Sequence, residues 1–436
     1  NYVRMEPSVG TFSSSAWLKE GKLQDNDVVR AVFVLKHDPM AVKQFEANLL
    51  DIAAPSSKNY GQWLNAEDVL NRLSPSEDKV NIVKDYLISA GVKAENIKVN
   101  KFRNLIQVDM PAATASEVLR TEFALFRSAV QRDVVLPRIT KPYYLPERVA
   151  DVVSIVDDIM RFPALRDAPK AYGAEIGTTT DPEFSSCGSK CNGFTTPAVL
   201  QSRYGYPTVN SVASGNSMSV AEFQYQYYDN TDLKSFSGAC GETATDDTPL
   251  GGNQEKICEA GGCVEALLDI EYIEAVANPI PLTVIYVAQF SLLNWINQVL
   301  EMTNPPLVHS VSYGNDEVQQ TSVEYMNSVN EQFMIAGSLG LSILFASGDQ
   351  GVWGRSGVGK TFHPDFPAAS PYVTAVGGTD FATKSTIGDE TAWSCGGGGR
   401  LCRGGVAPPS AAAVCREALP RRGYRGRGRH QDLPYP

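Results

Sequence analysis

The chain has 436 residues, enough for two to three domains with a substantial apolar core. A net charge of -11 and a pI near 5.0 argue against nucleic-acid binding as its main task, and no run of about 18 apolar residues is present to span a membrane. The eight cysteines suit an oxidising compartment, although their pairing is not readable from their spacing.

Residues 1–165 follow an α+β pattern. An apolar run at 31–35 predicts a strand, Asp38-Pro39 opens a helix reaching residue 50, 55–61 is a turn, and 65–68 starts another short helix. A helix over 76–90 leads into strands near 97–102 and 105–109, and a helix over 112–122 follows. Two strand–helix–strand passes of this size predict a ferredoxin-like sandwich with helices on one face. Between 163 and 195 Gly, Thr, Ser, Pro and Asp dominate and periodicity is lost, which predicts an exposed linker and a processing site. Cys187 and Cys191 in this stretch read as a small disulfide loop, because no second pair and no nearby histidine completes a zinc site.

Farther on, strand candidates at 217–222, 282–288, 307–311 and 342–346 alternate with helical stretches at 264–277, 290–302 and 321–339. The alternation predicts a mostly parallel α/β sheet, with reactive groups on loops beyond the strands' carboxyl ends. From 400 to 436 the pattern breaks: eight arginines occur, with no Lys, Ile, Phe, Trp, Asn or Thr. A basic interaction tail is one reading. A shifted reading frame in a GC-rich gene fits better, since the dominant Pro, Gly, Ala and Arg all have GC-rich codons.

Glu265 and Asp269 stand four apart in a strongly helical segment, so both carboxyls project from one face. Like charges at that spacing weaken an isolated helix, and the face continues through Ile273 and Val276, so desolvation and repulsion would raise at least one pKa. Two acids sharing a proton supply a general base in acid, where histidine is protonated. By spacing alone, however, paired acids on a helix are most often a solvated face. Asp349, in Ser347-Gly-Asp-Gln-Gly351, follows an apolar strand; held neutral, it would donate to an oxyanion, whereas the plain alternative is a Gly/Asp-rich turn. Gly354-Arg-Ser-Gly-Val-Gly359-Lys360-Thr361 matches the phosphate-loop pattern letter for letter, but it does not follow a strand directly and two prolines downstream forbid the required helix. Nucleotide binding is therefore a remote alternative. Of the four histidines, His37 lies in the first unit and His430 in the tail, leaving His309 and His363; His309 ends an apolar strand, where a core histidine is the default, so a Ser-His-Asp triad has little support.

Three segments together resemble the sedolisin family of serine-carboxyl peptidases: Glu265-Ala-Leu-Leu-Asp269, Val308-His-Ser-Val-Ser-Tyr-Gly314-Asn-Asp-Glu317, and Leu344-Phe-Ala-Ser-Gly-Asp349-Gln-Gly351. Phe366-Pro-Ala-Ala-Ser-Pro-Tyr-Val373-Thr-Ala-Val-Gly-Gly-Thr379 extends the likeness in the same order, and 1–165 resembles the family's prosegment, notably 55–64, Leu145-Pro-Glu-Arg148 and Arg161-Phe-Pro163. The resemblance implies a prosegment over 1–165, a linker over 166–195, a partial peptidase domain over 196–399 and the aberrant tail over 400–436. It implies a subtilisin-like, mostly parallel sheet flanked by helices and C-terminally incomplete, made as a zymogen with its own prosegment as inhibitor. By family role Glu265 would be the general base, Asp269 its proton-sharing partner and Asp349 the oxyanion stabiliser, with Ser312 and Gly314 lining the cleft. Substrates would be peptides or proteins, cut in acid as a tripeptidyl-peptidase or an endopeptidase. The implied localisation is lysosomal, vacuolar or secreted, with a signal peptide outside this sequence. The family's nucleophile lies in a Gly-Thr-Ser motif, and no such motif occurs among the 436 residues. The Asp- and Gly-containing loop that binds the family's structural calcium is likewise missing. With this sequence the chain is expected to be inactive, which leaves a non-catalytic peptide-binding protein as the alternative.

Overall fold

The computed structural model describes residues 1–7, 9, 16–129, 134–162, 197–240, 248–260, 263–288, 290–320, 322–349, 351–355, 361–380 and the short pairs 391–392, 394–395 and 402–403. The N-terminal part opens with β1 (Tyr2–Arg4), β2 (Trp17–Lys22), β3 (Val28–Leu35), α1 (Pro39–Ala53), α2 (Ala66–Arg72) and α3 (Glu77–Ser89). It continues with β4 (Ile97–Val99), β5 (Leu105–Pro111), α4 (Ala112–Leu119), β6 (Phe123–Ser128), β7 (Val135–Ile139), β8 (Tyr144–Pro146), α5 (Glu147–Ala150) and β9 (Val153–Asp157). The helix starts are chemically marked. The Asp38 carboxylate accepts from the amides of Met40 and Ala41 ahead of Pro39-led α1, and Asn65 with Asp68 forms a reciprocal capping box on α2.

β4, β5, β3 and β9 lie side by side in that order, every neighbouring pair antiparallel, which is the ferredoxin-like arrangement expected. β3 alternates between two cores, as the period of a strand dictates. Ala31, Phe33 and Leu35 pack with Val83 and Leu87 of α3 and Val118 of α4, while Val32 and Val34 point the other way. That second face corrects the expectation of helices on one side only: it is covered by helices from the C-terminal part of the chain.

That part comprises α6 (Pro197–Tyr204), β10 (Met218–Phe223), α7 (Asn230–Cys240), β11 (Thr248–Leu250), α8 (Val264–Ala277), β12 (Leu282–Val287), α9 (Leu292–Glu301) and β13 (Val308–Val311). β14 (Asn315–Asp316), α10 (Val323–Ser338), β15 (Ser342–Ala346), β16 (Asp365–Phe366) and β17 (Thr374–Val376) follow. A six-stranded sheet, in the order β11-β12-β10-β13-β15-β17, is parallel at every pairing. The chain runs outward from β10 to β12 and then returns to β13 on β10's other side, so a topological switch point lies between β10 and β13. On one face Val220 and Val284 pack against Ala266 and Ile270 of α8. On the other, Ala221, Phe223 and Ile285 pack against Trp295 and Ile296 of α9 and Phe333 of α10.

The prosegment-like unit sits behind α9 and α10. Val32, Val34, Phe45 and Leu49 belong to the same apolar cluster as Trp295 and Phe333; each such side chain, fully buried, contributes about 1.5–3 kcal/mol. Polar contacts fix the register: the Leu64 amide donates to the Ser338 carbonyl at 2.8 Å, Asn294 donates to Asp158 at 3.0 Å, and the Tyr372 hydroxyl donates to Glu46 at 2.7 Å. Gly340, with φ +85°, lies under the Trp63 ring, where a Cβ would come within 2.8 Å of Cγ.

Arg161 closes the unit. It donates to Asp157 at 2.8 Å, to Glu6 and to the Ser322 hydroxyl at 3.2 Å, and its guanidinium lies 4.2 Å from the centre of the Tyr325 ring. The Ser322 hydroxyl in turn donates to Glu6 at 2.6 Å and caps α10. One guanidinium therefore holds the N-terminal segment, the end of β9 and the start of α10, with both carboxylates buried. Replacing it (Arg161→Ala) leaves those carboxylates without their cation, and denaturant unfolding should show a loss of about 3–5 kcal/mol.

A second polar contact at the junction depends on pH. His37 Nδ1 is 2.9 Å from the Leu73 carbonyl oxygen, and its Nε2 is 3.6 Å from Glu331 of α10 and 3.5 Å from Asn104. Burial lowers the His37 pKa, and burial pushes the Glu331 carboxyl up to about 7. The folded state thus prefers Glu331 protonated; its contribution is complete below the ordinary carboxyl range and is lost as pH rises through about 7. Glu331→Gln should therefore raise the melting temperature at pH 8 and change it little at pH 5. A fall at pH 8 would instead mean that the pair is a stabilising ion pair.

Candidate active site

The carboxyl ends of β10, β13 and β15 bring the sequence-predicted residues to one edge of the sheet. Ser312 directly follows β13, and Gly348 and Asp349 follow β15, the neighbouring strand. α8 lies against β10. A disulfide between Cys258 and Cys263, a pairing that spacing alone left open, immediately precedes this helix, with the two Cα atoms 5.0 Å apart. Cys263 gives no side-chain cap to the helix; the Glu265 amide instead donates to Gln226 Oε1 at 3.2 Å, from the loop after β10.

Glu265 and Asp269 are both half-buried on α8, between the solvated face that spacing alone favours and the desolvation that the flanking apolar face suggested. The Ser312 hydroxyl donates to Asp269 Oδ1 at 3.0 Å, which joins two of the expected residues from separate elements. Gly314 lies against the Asp365 carboxylate, which any Cβ at that position would overlap. Asp349 is exposed at the end of β15. Beside Ser312, the Tyr313 hydroxyl donates to Glu222 Oε2 at 3.0 Å, and Glu222 is wholly buried at the end of β10. The Tyr313 ring packs edge-on to Phe223, with centroids 4.7 Å apart. Glu222, Tyr313 and Gln226 were not singled out from sequence. For Glu222 a signal existed: it is the one charged residue in the otherwise apolar or small run Met218–Phe223. Elsewhere on α8, burial and then the charge of Asp232 push the Glu271 carboxyl up to about 7.

A hydroxyl donating to a half-buried carboxylate, with a second carboxyl one helical turn away, can hold and pass a proton without histidine. His309 does not substitute for it. His309 is wholly buried, its Nδ1 2.6 Å from the Ser219 hydroxyl oxygen, and Ser219 is equally inaccessible, so the pair is a core hydrogen bond. The phosphate-loop pattern also lacks its frame. Gly354 follows a 3-10 turn, the rings of Trp353 and Phe362 meet at 5.1 Å, and the residues after Thr361 lead into β16 with no helix; residues 356–360, including Lys360, lie outside the described residues. So do the linker 166–195 with Cys187 and Cys191, and the tail beyond 403.

Burial lowers the His309 pKa to about 4. The folded state therefore prefers the neutral ring; this contribution is complete above about pH 6.5 and is lost as pH falls through about 4. At pH 4 the loss amounts to about 3 kcal/mol. Thermal melts from pH 7 to 4 should therefore fall less steeply for His309→Gln than for the native chain.

The family model described as "Pro-kumamolisin, activation domain" matches residues 15–162. Mouse (Mus musculus) tripeptidyl-peptidase 1 is 31% identical over 405 residues, covering 90% of this chain and 69% of the mouse protein. Physarolisin of Physarum polycephalum is 29% identical over 389 residues, covering 85% of this chain and 63% of its own length. Thus the chain spans about two thirds of the curated relatives it matches. Among solved structures, Pseudomonas sedolisin complexed with two molecules of pseudo-iodotyrostatin aligns at a TM-score of 0.38 and 21% identity, over 48% of this chain and 61% of that one. The match to tripeptidyl-peptidase 1 runs through both units described above, and the chain belongs to the sedolisin family of serine-carboxyl peptidases, with the family's prosegment at its N-terminus.

Proposed function

We propose that the protein is the zymogen of an acid-acting sedolisin-type peptidase that cleaves peptides or proteins through an acyl-enzyme. The observation that carries this reading is the Ser312–Asp269 hydrogen bond, which sets α8 and its carboxyl pair against the carboxyl end of β13. In this reading Glu265 is the general base, Asp269 shares its proton and is fixed by Ser312, Asp349 stabilises the oxyanion, and Ser312 and Gly314 line the cleft. The prosegment is the intramolecular inhibitor. Its described body packs on α9 and α10, on the face of the sheet opposite α8, and Arg161 anchors its end at the N-cap of α10. The described end of the prosegment therefore lies at the same edge of the sheet as the loop after β13, which supports the inhibitor reading. A lysosomal, vacuolar or secreted setting belongs to the same proposal; no helix among the described residues is long and apolar enough to cross a membrane.

The nucleophile and the metal are the open elements. A non-catalytic protein that binds peptides in the same groove is the second reading; no Gly-Thr-Ser motif occurs among the 436 residues, which span about two thirds of the relatives' length. Among the described residues no group of three or more His, Cys, Asp and Glu side chains is placed to hold a metal ion. The transcript around codon 400 separates the two readings. The peptidase reading expects another frame to encode a Gly-Thr-Ser motif. The protein translated from that frame should process itself in acid, at a rate reduced about 100-fold or more by Glu265→Ala. Full retention of processing in that variant would sink the assignment, and a transcript that encodes the present ending would leave the binding protein as the better account.

A further inference from the structure

Arg355, which the sequence places inside the phosphate-loop pattern, has another task. Its Nη1 donates to Asp316 Oδ1 at 3.1 Å and to Asp365 Oδ2, and its Nη2 donates to the Gly314 carbonyl at 2.9 Å. Its backbone amide donates to Asp316 Oδ2 at 2.7 Å. Asp316 and Asp365 are directly opposite each other in the antiparallel β14–β16 pair, and both are buried. Like charges so placed repel. Nη1 serves both carboxylates while Nη2 of the same planar fork reaches the Gly314 carbonyl, a fixed geometry that the point charge of a lysine does not reproduce.

The Asp365 carboxylate is also a spacer. Its Oδ1 lies where a Cβ of Gly314 would be, and its Oδ2 lies 3.1 Å from where a Cβ of Gly348 would be, at a residue whose φ is +88°. Gly314 is two residues after Ser312, and Gly348 directly precedes Asp349. Burial pushes the Asp365 carboxyl up against the opposing pull of Arg355, and the charges of Asp316 and Asp349 push it the same way as burial. Asp365 is thus in electrostatic contact with the end of β15 as well as in steric contact with the loop after β13.

We infer that Arg355, through Asp316 and Asp365, is a positioning residue that sets the separation of the two strand-end loops carrying Ser312 and Asp349. This rests on the reading of those loops as the walls of a peptide cleft. The β14–β16 pairing brings Asp365 beside the loop after β13, and among the described side chains Arg355 holds it there, against Gly348 of the other loop. Without this clasp, the cleft loses its fixed width while the sheet beneath keeps its pairing.

The test uses the full chain with Arg355→Ala and Arg355→Lys. Amide hydrogen exchange should speed up together at 312–314 and 347–349 in Arg355→Ala, by roughly tenfold or more, with β10 and β13 unchanged. Guanidinium ion at a non-denaturing concentration should restore both loops, and urea should not. Acceleration of one loop alone, of neither, or of the whole sheet overturns the inference. Binding of a fluorescein-labelled oligopeptide in acid should weaken roughly tenfold in Arg355→Ala, recover with guanidinium, and stay weak in Arg355→Lys. Unchanged affinity in Arg355→Ala also overturns it. If the native chain binds no peptide, the cleft reading fails while the exchange result still decides the clasp. Arg355→Lys, which keeps the charge, supplies the exchange comparison if the alanine variant does not fold.

Discussion

The architecture depends on one strand being buried on both faces. Alternate residues of β3 feed two cores, and the core that receives Val32 and Val34 is completed only by α9 and α10. The constraint acts in both directions. Leu292, Leu293, Trp295, Ile296, Val299 and Leu300 are all buried in a helix of ten residues and form one continuous apolar stripe along α9. That stripe belongs to one cluster with residues of both the parallel sheet and the prosegment. Separating the two units would expose a contiguous apolar face of a kind that soluble proteins rarely leave uncovered. A prosegment docked in this way therefore serves as part of the fold of the sheet, beyond any role at the cleft.

The polar groups in and around that core determine which pH the fold prefers. Burial raises the carboxyls of Glu331, Glu271, Glu317, Asp158 and Asp365. Each favours the folded state below its ordinary range, and each contribution is lost as pH rises through its folded value. His37 and His309 act in the opposite direction, since burial holds both below the usual imidazole range and acid charges them where no counter-ion compensates fully. The carboxyls outnumber the histidines, and two of them are pushed up to about 7, so the balance among these groups leans toward mildly acidic conditions, until His309 begins to take up its proton. That balance is compatible with a protein that meets acid, and it comes from burial, without invoking catalysis.

Much of this was legible in the sequence. Capping residues at Asp38, Asn65 and Ser76 marked helix starts, and the expected helices over 264–277 and 321–339 lie on α8 and α10 to within two residues at either end. The strands of the prosegment's second sheet were not anticipated: β2, β6 and β7 read Trp-Leu-Lys-Glu-Gly-Lys, Phe-Ala-Leu-Phe-Arg-Ser and Val-Leu-Pro-Arg-Ile, where charges, Gly and Pro interrupt the period of two. Nor could the second cover of β3 be read, because it is supplied by helices more than two hundred residues away in the chain. At the site, the spacing of Glu265 and Asp269 gave a shared helical face, but Glu222 and Tyr313 join only through tertiary contacts. The match of Gly354–Thr361 to a phosphate loop was uninformative in the opposite sense: Gly354 and Arg355 are explained by the carboxylates of Asp316 and Asp365 that they touch.

These contacts also tie the prosegment to the site through a short stretch of chain. Ser312 is held by Asp269 at one end of this stretch, Asp316 by Arg355 in its middle, and Ser322 by Arg161 and Glu6 at its far end. One of those three anchors belongs to α8, one to the loop before β16, and the third to the prosegment. Releasing Arg161 from Ser322 would leave the N-cap of α10 with its bond to the Tyr325 amide but without the cation and carboxylate that now fix it from outside. The prosegment's anchor at Ser322 and the Asp269 anchor at Ser312 thus lie on one short stretch of chain, even though the prosegment's body lies on the opposite face of the sheet from α8.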